Sequence, residues 1–106
     1  MRFAVRAGGK EAARDDWDAL PQPVRANLQA FFEHLAENGT IRNPSAWKKL
    51  GGYALWQLRK GNYRILCCWR RRELLICKVV MKNAKLAPKG LYDSAQSICE
   101  GDIGEA

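Results

Sequence analysis

Three strand-length runs in close succession, residues 53–59, 63–69 and 73–82, restrict the possible folds of this chain more than any other feature. Gly61-Asn62 between the first two suits a two-residue hairpin turn, and Arg70-Arg71-Arg72 carries the next reversal. The runs therefore predict a three-stranded antiparallel meander. Ahead of it, apolar residues at Val24, Leu28, Phe31, Phe32 and Leu35 repeat at offsets of three and four, the buried stripe of a helix over 23–38. Pro23 suits its first turn and Asn38-Gly39 its stop.

The rest of the chain fits around these elements. Residues 3–6, apolar up to Arg6, read as a short strand, ended by Gly8-Gly9. Residues 10–20 read as a charge-rich helix, with Trp17 and Leu20 on one face. Residues 41–52 form a connection anchored by Trp47 and Leu50, and Pro88 opens a last helix through Leu91, Tyr92, Ala95 and Ile98. The expected fold class is α+β: a short N-terminal strand, two helices, the meander and a C-terminal helix. At 106 residues the chain makes one domain with a single core, spanning 1–106.

No apolar run is long enough to span a membrane, and the first residues lack the apolar stretch of a secretion signal, so a cytoplasmic location is expected. The four cysteines (Cys67, Cys68, Cys77, Cys99) do not spell a disulfide or metal framework. Adjacent Cys67 and Cys68 point to opposite faces of a strand, no C-x-x-C occurs, and buried, reduced thiols are expected for most of them. His34 lies beside the helical stripe with no second histidine in the chain, and reads as a surface residue.

The positive charge is local. Between Trp47 and Tyr92 stand twelve Lys or Arg residues and one acid, Glu73, whereas the segment before Trp47 is balanced and the segment after Tyr92 is acidic. Solubility alone would scatter both signs, so the excess favours a phosphate backbone as partner. If Gly61-Asn62 is the turn, Arg59 lies opposite Arg64. If the three arginines form the second turn, Arg64 pairs with Lys78, and Lys82 shares that face. The expected product is Arg59, Arg64, Lys78 and Lys82 on one surface. Arg64, mid-strand and partly covered, needs an anionic or carbonyl partner, and Glu73 is the only acid nearby in sequence.

Glu37-Asn38-Gly39, Pro44, Trp47-Lys48-Lys49-Leu50-Gly51-Gly52, Leu55-Trp56-Gln57-Leu58-Arg59 and Tyr63-Arg64-Ile65-Leu66 resemble the phage-derived, HigB-like branch of the RelE/ParE toxin superfamily. Lys78-Val79-Val80-Met81-Lys82-Asn83, with Pro88 and Ala95 beyond it, is similar to that branch's last strand and the segment after it. The resemblance covers about residues 20–95. It implies helices packed on one sheet face and a basic groove on the other. It also implies the toxin of a type II toxin–antitoxin pair, either an endoribonuclease that cleaves mRNA, usually on the ribosome and without a metal, or a ParE-like inhibitor of DNA gyrase. The expected partner is a cognate antitoxin, with a HigA-like helix-turn-helix protein favoured.

For a metal-independent mRNA interferase, with no cofactor, the chemistry needs cations around a pentacoordinate phosphate. Arg59 and Arg64 are the candidates for clamping phosphate, Lys82 for stabilising charge or protonating the leaving oxygen, and Lys78, crowded by the arginines, for a base of lowered pKa. Tyr92 is a candidate for stacking or proton transfer. Lys48, Lys49, Arg70, Arg71 and Arg72 are candidates for RNA backbone contacts. Lys78 stands where relatives commonly carry histidine, Gln57 where they often carry Glu, and Asn83 where a second lysine is expected. These departures leave open a relative that binds RNA or an antitoxin without cleaving.

Overall fold

The computed structural model describes residues 2–6, 8–38, 47–70, 72–81 and 88–103. In chain order it runs β1 (Arg2–Phe3), α1 (Arg14–Asp18), α2 (Gln22–Asn38), β2 (Trp47–Lys49), β3 (Trp56–Lys60), β4 (Tyr63–Arg70), β5 (Glu73–Met81) and α3 (Pro88–Glu100). The strands form one sheet of order β1-β5-β4-β3-β2, with β1 parallel to β5 and the other pairs antiparallel. The expected α+β class and meander are present. The sheet gains a fifth strand, β2, from the segment read as a connection; three residues are too few to display an alternation of period two. The expected helix over 10–20 shortens to the five residues of α1.

Helices cover both faces, which corrects the expectation of helices on one face only. On one side Leu28, Phe32 and Leu35 of α2 and Trp17 of α1 pack on Leu58, Ile65, Cys67, Leu74, Ile76 and Val79. Trp17 sits edge-on to Phe3 and tilted against Phe32, and Trp47 stacks on Trp56 at 5.3 Å. On the other side the stripe Leu91, Ala95, Ile98 and Cys99 of α3 matches Leu55, Leu66, Cys68, Leu75 and Cys77. An apolar stripe of that width has to be buried, and this half of the sheet offers the apolar surface that fits it. Among the described residues no helix is long and apolar enough to cross a membrane.

Register is set by the two turns and one irregularity. Gly61, with φ 56°, and Asn62 close the β3–β4 hairpin, and Arg59 pairs with Arg64 as expected. Positive φ at the first turn residue only is the type II′ pattern, which glycine adopts without strain. The next turn differs from expectation. Arg70 pairs with Glu73, leaving a two-residue turn whose second residue, Arg72, takes φ 65°. A bulge then separates the pairs Cys67↔Ile76 and Leu66↔Lys78, with Cys77 as the extra residue. Arg64 consequently pairs with Val80, not Lys78. The shorter turn shifts β5 by one position and the bulge by one more. The combined shift of two restores the face, so Lys78 stays on the side of Arg64.

Cys67 and Cys68 do face opposite cores. The expectation of reduced thiols is corrected in part: Cys68 and Cys99, 31 residues apart, are joined as a disulfide, while Cys67 and Cys77 are free and buried. Topology makes that pairing, by laying the last turn of α3 on β4. Burial raises the Cys67 thiol well above its ordinary range and pushes Cys77 up to about 12.

Candidate functional site

Pairing across the sheet sorts the cations by face. Lys48, Gln57, Leu66 and Lys78 form one row across β2, β3, β4 and β5; Arg59, Arg64 and Val80 form the next. Both rows lie on the α3 side, since Leu66 belongs to the core under that helix. Arg70 donates to the carbonyl oxygens of Cys99, Glu100 and Asp102, so the C-terminal end of α3 sits at the Arg70 end of β4. Thirteen helical residues span roughly 20 Å, about the length of β4 from Arg70 back to Arg64. The first turn of α3 therefore reaches the Val80 end, where Leu91 and Val80 share one cluster. Leu66 and Val80, one in each row, pack in the α3 cluster, and the cations stand beside them along the rows.

Arg59 and Lys48 are exposed; Arg64 and Lys78 are half-buried. Arg64 Nη1 donates to the carbonyls of Gly61 (3.2 Å) and Tyr63 (3.0 Å), which fixes the guanidinium against the hairpin turn. Among the described residues nothing accepts from its Nε or Nη2, the edge that can form two parallel bonds to a phosphate. These carbonyls meet the expectation of an anionic or carbonyl partner, while Glu73, the acid nearby in sequence, is occupied by Arg2 at 2.6 Å. Among the described residues no carboxylate pairs with Lys48, Arg59, Arg64 or Lys78; the acids that form ion pairs serve Arg2, Arg14 and Lys89. Two arginines directly opposed across a sheet repel each other, and an anion placed between them removes that cost. Gln57, 6% exposed, is the buried polar side chain beneath this surface; the sequence marked it only as a departure from the family pattern. The cavity of about 240 Å³ lined by Leu20, Tyr63, Val79, Val80 and Met81 borders the second row through Val80 but takes in none of the four cations, of which Lys48 and Arg59 are open to solvent. An open face suits an extended polyanion better than an enclosed small molecule.

The other candidate residues separate from this group. Lys49 pairs with Trp56 and points to the α2 side, away from Lys48. Arg70 is half-buried and bound to the end of α3, and Arg72 occupies the far turn, roughly 20 Å from Arg64 at strand rise. Lys82, Asn83 and Arg71 lie outside the described residues. Tyr92 is half-buried, its ring edge-on to Tyr53 at 5.5 Å. Tyr53 donates to Asp93 (2.8 Å), and Asp93 also accepts from Lys89 (3.0 Å). Hydrogen bonds from Lys89 and Tyr53 hold the Asp93 carboxyl below its ordinary range. His34 is exposed on α2 beside Asn38 and belongs to neither row. Lys78 faces Leu66 rather than an arginine, so the crowding expected to activate it as a base is not produced by direct pairing.

A five-stranded sheet flanked by three helices is also found in a solved antitoxin-toxin complex. A chain of the RelB-RelE antitoxin-toxin complex from Methanococcus jannaschii is similar, with a TM-score of 0.59 over 79% of this chain and 93% of that one, at 20% identity. The model of the family described as phage derived protein Gp49-like matches residues 15–99. The chain belongs to that family, and its fold is that of the RelB-RelE chain. No curated protein matches the sequence.

Proposed function

We propose that this chain is the toxin of a type II toxin–antitoxin pair and acts as a metal-independent endoribonuclease on mRNA at the ribosome. The observation that carries the reading is the opposed pair Arg59 and Arg64, on one face with Lys48 and Lys78 and without a carboxylate partner among the described residues. In the reaction the RNA 2′-oxygen bonds to the adjacent phosphorus as the bond to the 5′-oxygen breaks, leaving a cyclic phosphate and a 5′-hydroxyl. The Nε/Nη2 edge of Arg64 and the guanidinium of Arg59 hold the phosphate oxygens as negative charge grows. The 2′-hydroxyl proton passes to solvent water as the new bond forms, Lys78 adds positive charge beside the phosphate, and Lys82 protonates the leaving oxygen. Lys48 extends the cationic track for the RNA backbone. The antitoxin, a HigA-like helix-turn-helix protein, covers the basic rows with an acidic segment; that the similar M. jannaschii chain comes from an antitoxin-toxin complex supports a cognate antitoxin as partner. The site of action is the cytoplasm.

Expression of the chain alone, with growth and transcript mapping as readouts, tests this. Cleaved transcripts that Arg64→Ala leaves intact are expected. Growth arrest with intact transcripts and a DNA-damage response would point instead to gyrase. A binding-only relative is the second reading, favoured by the apolar partner of Lys78 and by the distance of His34 from both rows. It requires salt-sensitive RNA binding with no cyclic-phosphate product.

A further inference from the structure

We propose that the reduced chain binds one cuprous ion between the thiols of Cys68, Cys77 and Cys99, at a site separate from the basic rows. These three residues come from mid-β4, the bulge of β5 and the last turn of α3, and their sulfurs lie within 4.8 Å of one another. Cys77 Sγ stands 3.7 Å from Cys68 Sγ. Three sulfurs around one ion at about 2.3 Å would be spaced about 4 Å apart; the Cys68–Cys77 pair already stands near that spacing, and the bonded Cys68–Cys99 pair opens to it once reduced.

The bulge is what brings the third sulfur in. It turns Cys77 and Lys78 to the same side of the sheet, the thiol under α3 and the ammonium beyond it. All three cysteines are buried among Ala4, Leu66, Leu75, Ala95 and Ile98. A donor set made only of sulfur selects a soft ion. Zinc takes a fourth ligand; Asp102, the nearby carboxylate, is held by Arg2 and the Val5 amide, which leaves a trigonal site suited to copper(I). Arg70, bonded to the Cys99 carbonyl at 2.7 Å, supplies positive charge next to the thiolates.

The chemistry balances in two steps. A dithiol reductant delivers two electrons and two protons to the Cys68–Cys99 bond, becomes a disulfide itself, and leaves two thiols beside that of Cys77. Copper(I) then exchanges three S–H bonds for three Cu–S bonds, releasing three protons without changing its own oxidation state. In either state the last turn of α3 is tied to the sheet, by a disulfide in one and by a metal in the other.

The test titrates the reduced full chain, without oxygen, with copper(I) buffered by a chromophoric competitor, and counts sulfur neighbours by X-ray absorption. One equivalent bound through three sulfurs is expected. Failure to take copper from the competitor, or a shell of two sulfurs or of nitrogen and oxygen, would overturn the proposal. Cys77→Ser should weaken binding by more than about 100-fold, the upper end for loss of an outer-shell group. Cys67→Ser, equally buried on the opposite face, should leave binding unchanged; equal loss in both variants would count against the site. Should Cys77→Ser fail to fold, the sulfur count on the unaltered chain still decides. Zinc bound as tightly as copper would refute the trigonal assignment.

Discussion

The two ends of the β4–β5 hairpin are both rich in arginine and use it in opposite ways. At the Arg70 end, guanidiniums are consumed by the fold: Arg70 binds the last carbonyls of α3, and Arg2 joins Glu73 and the nearly buried Asp102 in one network. At the Arg64 end, Arg59 and Arg64 face each other with no acid between them among the described residues. Equal local charge therefore does not mean equal availability. A cation with its partner already in the chain holds structure; one held in place without an anion is ready for a ligand.

The largest effect should come from the open end. Arg64→Ala is expected to lower RNA cleavage by about 100-fold or more while the thermal midpoint barely moves. If Arg70→Ala gave the same loss in a folded chain, the contrast between the ends would fail. Next, Asp102→Ala should reduce unfolding free energy by about 3 kcal/mol in denaturant titrations, because it leaves Arg2 without its main partner. RNA affinity of the molecules that remain folded should be unchanged. A gentler probe is salt: Arg59→Ala should flatten the dependence of log affinity on log salt by about 0.7, the value of one single-strand phosphate contact, whereas Arg72→Ala should leave the slope alone. Arg72→Gly sharpens the same point from the folding side. Relieving φ 65° should stabilise the domain by about 1 kcal/mol, with cleavage unaffected.

The smallest expected effect concerns the contact that holds Tyr53 to the first turns of α3. The Asp93 pKa is lowered by Lys89 and Tyr53, so its contribution is present above the ordinary carboxylate range and is lost as pH falls through the lowered value. A carboxyl titration monitored by NMR should place Asp93 below the other exposed aspartates. Tyr53→Phe should move it back toward them.

The meander and the α2 stripe were legible because their signals are local: a Gly-Asn turn between strand-length runs, and apolar offsets of three and four. The opposition of Arg59 and Arg64 came from that one turn. What escaped was non-local or unmarked. β2 is too short to show a period. No residue type announces the bulge at Cys77, and a run of three arginines hides which two make the turn. Of the two kinds of partner expected for Arg64, the carbonyls of its own turn prevail, and Glu73 goes to Arg2, which lies 71 residues from it along the chain. The Cys68–Cys99 bond depends on where α3 comes to rest, which spacing along the chain does not encode.

Turn length and bulge in this hairpin form a matched pair. Removing or adding one residue at Arg71-Arg72 would send every later side chain of β5 to the wrong side, exposing Val79 and burying Lys78, unless the irregularity at Cys77 changed with it. Homologous chains that differ in length here should therefore differ at both places or at neither. Engineers grafting this hairpin would have to move the two together.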